Sequence, residues 1–217
     1  MILFVTGTGT DVGKTYVAER ILRRWRDTGH QPVGIKPIET DCTPDPKDAQ
    51  LLASVSKEDF TSHPGFFRAP EPLAPLATSV DANWDSIVSA CRGFAQRPLL
   101  VEGAGGPLVP VTEEHFVIDL AAELSASVLL VAANRLGVLS YTYTAVESIR
   151  ARGLSIAAIV LNDMGIANDT NDTNDTNADV SIASNPTLIR NALGLPVYEV
   201  GELSALADAL IQTQPAP

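Results

Sequence analysis

Residues 7–15 form a glycine-rich turn that ends in Lys-Thr and directly follows a short apolar run. The turn reads Gly-Thr-Gly-Thr-Asp-Val-Gly-Lys-Thr, and five residues separate Gly7 from Gly13 where the common pattern has four. Glycines let backbone N–H groups converge on phosphate oxygens, and a following helix presents its positive end to the same anion. Lys14 can reach the β- and γ-phosphates, and the Thr15 hydroxyl can ligate Mg²⁺. The turn therefore predicts a triphosphate site, despite its irregular spacing.

Lys36 and Asp48 are the next charged residues whose positions suggest chemistry. Lys36 ends the second apolar run, in the segment Lys-Pro-Ile-Glu-Thr that closes with Thr40. Beside a phosphate-binding turn, such a lysine can neutralise charge that develops on a transferring phosphoryl group, so we favour this role over that of an ordinary exposed lysine. Asp48 opens a helical stretch, where an acid can cap the helix or ligate Mg²⁺. The residue by itself favours the cap.

Glu102 ends a third apolar run, Leu99–Glu102, and a second glycine-rich segment follows it. In phosphate-loop enzymes an acid at the end of a neighbouring strand holds the metal ion. Mg²⁺ takes one or two carboxylates together with phosphate oxygens and water. Glu102 and Thr15 supply donors of this kind, and Asp48 could complete them. We favour this reading over a plain strand end.

Asn162 and Asp163 follow the fifth apolar run. An asparagine amide at a strand end can hydrogen-bond a purine through its donor and its acceptor, and it can equally begin a turn. The residues leave both readings open. The three histidines have no regular spacing relative to each other or to the cysteines. We therefore expect neither a zinc site nor a Ser/His/Asp arrangement.

Composition sets limits on the partners of the chain. Its 217 residues are 45% hydrophobic and carry a net charge of -11, so a nucleic-acid backbone would be repelled over most of the surface. Two isolated cysteines, Cys42 and Cys91, fit a reducing compartment. No signal peptide and no apolar run of membrane-spanning length is visible. We expect a cytoplasmic protein that contacts neither nucleic acid nor membrane.

Apolar runs alternate with helical stretches along the whole chain, which predicts an α/β fold. Uninterrupted Val/Ile/Leu runs joined by helices indicate a mostly parallel sheet with helices on both faces, in one domain over 1–217 of the P-loop NTPase type. An Asn-Asp-Thr repeat lies within 166–179, where we expect a flexible loop. The predicted strands are Ile2–Thr6, Val33–Lys36, Leu99–Glu102, Ser127–Ala133, Ile156–Leu161 and Val197–Val200. The predicted helices are Lys14–Thr28, Asp48–Ser54, Val117–Ser125, Ser140–Arg152 and Thr187–Ala192.

Taken in order, these segments resemble the dethiobiotin synthetases, ATP- and Mg²⁺-dependent cyclo-ligases of biotin synthesis. The resemblance covers nearly the whole chain, and the irregular spacing of the glycine-rich turn is normal in that family. It rests on seven segments. They are Gly7–Thr15, Lys36–Thr40, Asp48-Ala49, Glu102–Pro110, Asp119–Ala121, Arg135–Gly137 and Leu161–Asp163.

The resemblance implies a role for each matching position. Lys36 and Lys14 would be catalytic, and Thr40 and Thr10 would contact the substrate. The stretch around Glu202 would form a loop at the nucleotide base. Thr15, Asp48 and Glu102 would hold Mg²⁺. The ATP-binding residues would be Asp11, Val12, Gly13, Lys14, Thr15, Tyr16, Asp48, Glu102, Gly103, Ala104, Gly105, Asn162, Asp163, Glu202, Leu203 and Ser204.

The implied reaction uses 7,8-diaminononanoate, CO₂ or bicarbonate, and ATP. An amine takes up CO₂ as a carbamate, the carbamate oxygen attacks the γ-phosphate, and the neighbouring amine then closes the ureido ring and expels phosphate. Neutralising the phosphoryl charge and holding the reactants in line would suffice, without a protein nucleophile. The resemblance also implies a homodimer, in which Gly137–Tyr141 helps bind the substrate tail. The family usually has aspartate where Gly9 stands and glycine where Asp41 stands.

Four other functions fit parts of the pattern. A partitioning-type ATPase switch would carry a second lysine early in the glycine-rich turn, and Gly7–Val12 has none. A synthetase that acts on a corrin acid would share the P-loop, but it would also carry a glutaminase domain, for which the chain is too short. Another P-loop synthetase, acting on a different diamine or acid, is a further alternative. A nucleotide-binding module without catalysis conflicts with the retained lysines and acids.

Overall fold

The computed structural model describes residues 1–163 and 181–212, and the predicted loop at 166–179 lies outside these ranges. The strands are β1 (Ile2–Gly7), β2 (Val33–Ile35), β3 (Ile38–Glu39), β4 (Phe67–Arg68), β5 (Leu99–Glu102), β6 (Ser127–Ala133), β7 (Ile156–Asn162) and β8 (Val197–Glu199). The helices are α1 (Lys14–Asp27), α2 (Lys47–Ser56), α3 (Trp84–Gly93), α4 (Val117–Glu123), α5 (Val138–Arg150), α6 (Asn185–Leu193) and α7 (Leu203–Gln212). Each predicted strand and helix is present, with ends that agree to within two residues.

Six strands form one parallel sheet in the order β2-β5-β1-β6-β7-β8. Val5 pairs with Glu102 and Gly7 pairs with Val131, so β1, β5 and β6 end at the same edge. Because ligands of open parallel sheets gather at the carboxyl ends of the strands, this edge is where the chemistry is expected. The parallel α/β fold predicted from the apolar runs is confirmed.

Side chains of each strand alternate between two buried layers. Leu3 and Val5 of β1 join an apolar cluster that also contains residues of α1, α2 and α7. Phe4, between them, joins the opposite cluster with residues of α3, α4, α5 and α6. Alternation with a period of two residues is what a pleated strand imposes, so a strand buried on both faces must be apolar throughout. Helices therefore cover both faces, as the sequence predicts.

Helix α7 packs on α1 and anchors the helix that follows the glycine-rich turn. The indole Nε1 of Trp25 donates to the Ala207 carbonyl oxygen at 2.9 Å, and Trp25 is fully buried. The Arg24 guanidinium donates two hydrogen bonds to the Asp208 carboxylate, at 2.8 and 2.7 Å. The loop implied around Glu202 is therefore short, since a 3₁₀ turn at Val200–Glu202 leads directly into α7.

A separate pair of strands, β3 and β4, was not expected from the sequence. The two are parallel, with Ile38 opposite Phe67 and Glu39 opposite Arg68. Each has only two residues, too few for an apolar pattern to register. The pair fixes the segment between Lys36 and α2, which lies beside the main sheet. Within the described ranges, no helix is both long and apolar enough to cross a membrane.

Candidate active site

A cavity of about 800 Å³ opens at the carboxyl edge of the sheet. It gathers the glycine-rich turn, the two lysines and the two acids that the sequence singled out, although they are distant in the chain. The cavity is lined by Thr10, Asp11, Gly13, Lys14, Thr15, Tyr16, Lys36, Glu39, Thr40, Asp41, Lys47, Asp48, Pro72, Leu73, Ala74, Pro75, Glu102, Ala104, Gly105 and Val109. Its lining combines charged side chains with the apolar segment at residues 72–75.

The glycine-rich turn forms a tight loop that leads into α1. Gly13 has φ of 91°, a conformation that favours glycine, and it occupies the position before the first helical residue. At Gly7 an added Cβ would lie 2.6 Å from Val12 Cγ2, so the loop closes tightly here. Lys14 Nζ donates to the Gly9 carbonyl oxygen at 2.8 Å, within the loop. Burial is the main cause that lowers the pKa of Lys14, with Lys36 adding to it while nearby carboxylates oppose it.

The loop is joined to β5 through Thr15. The Thr15 hydroxyl donates to Glu102 Oε1 at 2.8 Å, and Lys36 Nζ donates to the same oxygen at 2.8 Å. Lys36 Nζ also donates to the Asp48 carboxylate, in an ion pair. Glu102 is fully buried, whereas the Asp48 side chain is 40% exposed. The four predicted residues therefore form one connected polar chain.

Lys36 stays protonated in this setting. Burial by itself would lower its pKa, but the charges of Glu102 and Asp48 and their hydrogen bonds outweigh burial and raise the pKa. An ammonium group held between two carboxylates is thus a fixed positive charge at neutral pH. A fixed charge of this kind, next to a phosphate-binding loop, suits stabilisation of negative charge in a transition state.

The side-chain oxygens of Thr15, Glu102 and Asp48 are suitable ligands for a magnesium ion. Glu102 Oε2 is buried, and among the described residues it has no hydrogen-bond partner. Carboxylate and hydroxyl oxygens are donors that Mg²⁺ accepts together with phosphate oxygens and water. No group of three or more His, Cys, Asp or Glu side chains suited to a metal occurs in 1–163 and 181–212, so a metal here would depend on nucleotide and water as further ligands.

Glu39 belongs to the site, although sequence reasoning gave it no role. It lines the cavity, is 5% exposed, and accepts hydrogen bonds from the backbone N–H groups of Asp48 and Ala49 at 2.9 and 3.1 Å. Burial raises its pKa, while Lys36 and the two N–H donors act in the opposite direction. The sequence signal that could have found it is an acid shortly before a helix whose N-cap residue, Pro46, offers no side-chain acceptor.

Asp11 and Asp41 line the cavity with strained backbones. Their φ angles are 55° and 61°, in the left-handed region that favours glycine. The conformation of Asp41 is therefore one in which glycine would be free of strain. Strain of this kind costs about 1–3 kcal/mol and is common at functional sites. Thr10 and Thr40, predicted as substrate contacts, line the same cavity.

The residues proposed for the nucleotide base are not among those that line the cavity. Asn162 is 2% exposed, and its Nδ2 donates to the Val12 carbonyl oxygen at 2.9 Å, so it braces the glycine-rich loop from the side of β7. Asp163 is exposed. Glu202 ends a 3₁₀ turn, while Leu203 is buried in the core and Ser204 lies in the first turn of α7. Leu203 and Ser204 therefore begin a helix, and their implied contact with the nucleotide base stays a prediction.

Two other predicted contacts also lie outside the cavity lining. Val12 is buried against the core, and Gly103 packs so closely that an added Cβ would lie 2.9 Å from Val117 and 3.0 Å from Phe4. Val12 and Gly103 therefore affect the site through their backbone and through the close packing around them. Ala104 and Gly105 follow Gly103 and do line the cavity.

Replacing Asn162 by aspartate is expected to weaken ADP binding about tenfold. The change turns the donor into an oxygen that faces the Val12 carbonyl oxygen, so a buried hydrogen bond becomes a repulsion, and the loop loses its brace. Isothermal titration calorimetry measures the affinity. The exposed Asn191→Asp in α6 makes the same chemical change away from the site and should bind ADP normally. A folded Asn162→Asp protein with normal affinity would show that the brace is dispensable.

Comparison with known proteins identifies the relatives of the chain. The family model described as an AAA domain matches residues 2–209. An ATP-dependent dethiobiotin synthetase of Anaeromyxobacter sp. strain Fw109-5 is 39% identical, with 95% of this chain and 92% of that protein aligned. Those of Anaeromyxobacter dehalogenans strain 2CP-1 and Acidiphilium cryptum are 41% and 36% identical, over 77% and 74% of this chain and 78% and 79% of theirs.

Among solved structures, the fold is similar to that of a nucleotide-binding protein from Archaeoglobus fulgidus in complex with ADP. The TM-score is 0.51 at 14% sequence identity, and the match covers 99% of this chain and 88% of the other. At this identity the likeness supports the fold alone.

Proposed function

The chain belongs to the ATP-dependent dethiobiotin synthetases, and we propose that it joins CO₂ to the two amines of 7,8-diaminononanoate, forming dethiobiotin, ADP and phosphate. The enzyme is a ligase that forms C–N bonds. The observation that supports this most directly is the connected chain Thr15–Glu102–Lys36–Asp48 beside the glycine-rich loop. A non-catalytic nucleotide binder has no need for a buried lysine held between two acids.

The glycine-rich loop binds the triphosphate in this proposal. Backbone N–H groups of residues 11–16 and the positive end of α1 face the phosphate oxygens, and Lys14 adds a positive charge. Lys14 must exchange its bond to the Gly9 carbonyl for a phosphate oxygen, which is a stronger, charge-assisted acceptor. The negative charge of a bound phosphate opposes the effect of burial on the pKa of Lys14 and favours its ammonium form.

Lys36 stabilises the phosphoryl group during its transfer. The carbamate oxygen attacks the γ-phosphorus and ADP leaves, and the negative charge on the transferring oxygens needs a nearby cation. The second amine then attacks the carbamoyl carbon, the C–N bond closes the ring, and phosphate leaves. The protein contributes binding, alignment and charge, and the reaction needs no protein nucleophile.

Thr15, Asp48 and Glu102 are the residues that would hold Mg²⁺. When bound, the ion neutralises phosphate charge and helps to keep the attacking and leaving oxygens in line. The buried, unpartnered Glu102 Oε2 supports this assignment.

Thr10, Thr40 and the apolar segment at residues 72–75 would receive the substrate. The hydroxyls can hydrogen-bond the carbamate, and the apolar Leu73 and Val109 suit an aliphatic chain.

We also propose a homodimer in the cytoplasm. At the start of α5, Leu136 is 80% exposed and Tyr141 is 61% exposed, and such large apolar side chains suit a protein interface. Sedimentation velocity determines the oligomeric state.

Both cysteines are free thiols, and burial raises the pKa of Cys91 to about 12, so this thiol is inert.

Phosphate release from ATP tests the proposed reaction. Release should require both diaminononanoate and bicarbonate, and ¹³C-bicarbonate should label the ureido carbon of the product detected by mass spectrometry. Phosphate release that is independent of both substrates would instead favour an ATPase switch. Release that needs a different diamine or acid would change the substrate and keep the synthetase chemistry.

A further inference from the structure

Glu39 is the buried acid of the cavity for which the proposed reaction has no use. It does not pair directly with Lys36 in an ion pair, and both of its carboxylate oxygens receive backbone N–H groups, Oε1 from Asp48 and Oε2 from Ala49. These N–H groups belong to the first turn of α2, where helices leave donors without an intrahelical partner. The residue at the N-cap position is Pro46, whose side chain accepts no hydrogen bond. Glu39 therefore supplies, from outside the helix, the acceptor that an N-cap residue normally provides.

The two ends of α2 are held by different contacts. At the far end, the Ser56 hydroxyl accepts from the Gly34 backbone N–H at 2.8 Å, and Leu52 and Val55 are buried against the core. At the near end, the first turn carries the half-exposed Asp48. Loss of the Glu39 bonds thus loosens the first turn, which keeps the ion pair between Asp48 and Lys36, and leaves the rest of the helix anchored.

Glu39 is itself placed by the short β3–β4 pair. Its backbone carbonyl accepts from the Ala69 N–H at 3.1 Å, and the Phe67 N–H donates to the Pro37 carbonyl at 2.8 Å. Because Pro37 follows Lys36 directly, one rigid segment sets the position of the lysine and, through Glu39, that of Asp48. The distance between a catalytic cation and its acidic partner is thereby fixed by a single element.

We propose that Glu39 is a positioning residue that holds the first turn of α2, and with it the Asp48 carboxylate, in register with Lys36 and Glu102 for metal-assisted phosphoryl transfer. This inference rests on the proposed function for the role of Asp48. It differs from a purely structural cap because its effect must pass through the Asp48 carboxylate. It also differs from a direct ligand role, since both oxygens of Glu39 already accept backbone donors.

The first test measures Mn²⁺ binding in the presence of ADP, by electron paramagnetic resonance, with Mn²⁺ replacing Mg²⁺. Glu39→Ala should weaken Mn²⁺ binding about 10- to 100-fold, the usual effect of removing a group that orients a metal ligand. Affinity for ADP in EDTA should be unchanged or higher, because one negative charge leaves the cavity. Glu39→Gln keeps one acceptor oxygen, so its Mn²⁺ affinity should lie between those of Glu39→Ala and the wild type. If Glu39→Ala does not fold, the Mn²⁺ affinity of Glu39→Gln tests the proposal in its place.

A matched control separates positioning from stability. Asn83 caps α3 by accepting from the Ser86 N–H at 3.0 Å, and it is not among the residues that line the active-site cavity. Asn83→Ala loses a helix cap, at a cost of about 1 kcal/mol, and should bind Mn²⁺ as the wild type does. Equal weakening by Asn83→Ala and Glu39→Ala would overturn the proposal, because stability alone would then explain the loss.

A double-mutant cycle tests the route through Asp48. In an Asp48→Asn background, Glu39→Ala should change Mn²⁺ affinity by less than about twofold, since the group being positioned has already lost its charge. Fully additive losses, or an Asp48→Asn protein with normal Mn²⁺ affinity, would overturn the proposal. The cycle measures Mn²⁺ binding and needs no diaminononanoate. A wild-type protein that fails to make dethiobiotin would therefore count against the proposed function, whereas the Mn²⁺ affinities would still test the role of Glu39.

Discussion

The Lys36→Ala enzyme is expected to turn over at least about 100-fold more slowly than the wild type while binding ADP with nearly the same affinity. A factor of 100 corresponds to about 2.7 kcal/mol of transition-state stabilisation, in the range found when one electrostatic stabiliser is removed. The charge on Lys36 is secured by Glu102 and Asp48, so its loss removes a cation that no neighbour replaces at the same point. Steady-state rates with ATP, together with calorimetric ADP binding, separate kcat from affinity.

Lys47→Met is the control for Lys36→Ala. Lys47 also lines the cavity, but it is exposed, so its loss changes the net charge without emptying the buried position of Lys36. Its turnover should stay within about threefold of the wild type, because exposed charges act through water and are screened. Lys36→Met keeps the length of the side chain and should fail as Lys36→Ala does. Near-normal turnover in either Lys36 variant would remove this lysine from the mechanism.

Glu102→Gln is expected to lower turnover about 100-fold or more and to move the Mg²⁺ dependence to higher concentration. The substitution preserves size, but it removes the buried counter-charge of Lys36 and places an amide where the unpartnered Oε2 lies. The remaining amide oxygen can still accept from the Thr15 hydroxyl, so the glycine-rich loop should keep its shape. Rates measured across a Mg²⁺ series, with Mn²⁺ binding in parallel, report the two effects.

Folding must be measured for Glu102→Gln because a buried cation loses one of its partners. Breaking a buried ion pair from one side commonly costs about 3–5 kcal/mol, although the exposed Asp48 still faces Lys36 here and lessens the cost. Urea unfolding gives the free energy change. Glu58→Gln, which breaks an exposed ion pair with Arg97, makes the same substitution at the surface and should affect neither stability nor rate appreciably. A folded Glu102→Gln enzyme with normal Mg²⁺ dependence would contradict the metal assignment.

The edge of the sheet was predictable because its signals are local. The apolar runs before Gly7 and before Glu102 identify buried parallel strands, and such strands end at one edge. Residues at those ends must then be neighbours, even though Thr15 and Glu102 lie 87 positions apart. The glycines and the lysine of the loop have a recognisable chemistry of their own, and the structure places Gly13 and Lys14 in the lining of the same cavity as Lys36 and Asp48.

The role of Glu39 could not be read in the same way. It depends on the pairing of β3 and β4, which brings Glu39 against a helix that begins eight residues later. A two-residue strand has no periodicity, and a proline at an N-cap position conceals the need for an acceptor. The interaction becomes visible only when the backbone of both segments is placed.

Helix α7 shows a different limit of the sequence analysis. Leu203, Leu206, Ala207 and Leu210 recur with helical spacing and are all buried. The resemblance implied a nucleotide-base loop around Glu202, and the structure adds that a helix begins at Leu203. Asn162 likewise had two open readings, and its burial beneath the glycine-rich loop gives it a third, as a brace.

The glycine-rich loop is held from both flanks of β1, by Glu102 through Thr15 on one side and by Asn162 through Val12 on the other. Much of its conformational freedom is therefore lost during folding, before any nucleotide arrives. Binding a ligand to a segment that is already ordered avoids an entropic penalty that a flexible loop would impose on each encounter. The consequence concerns the thermodynamics of association: nucleotide capture here should have a small entropic cost, and its affinity should follow the contacts formed with the phosphates.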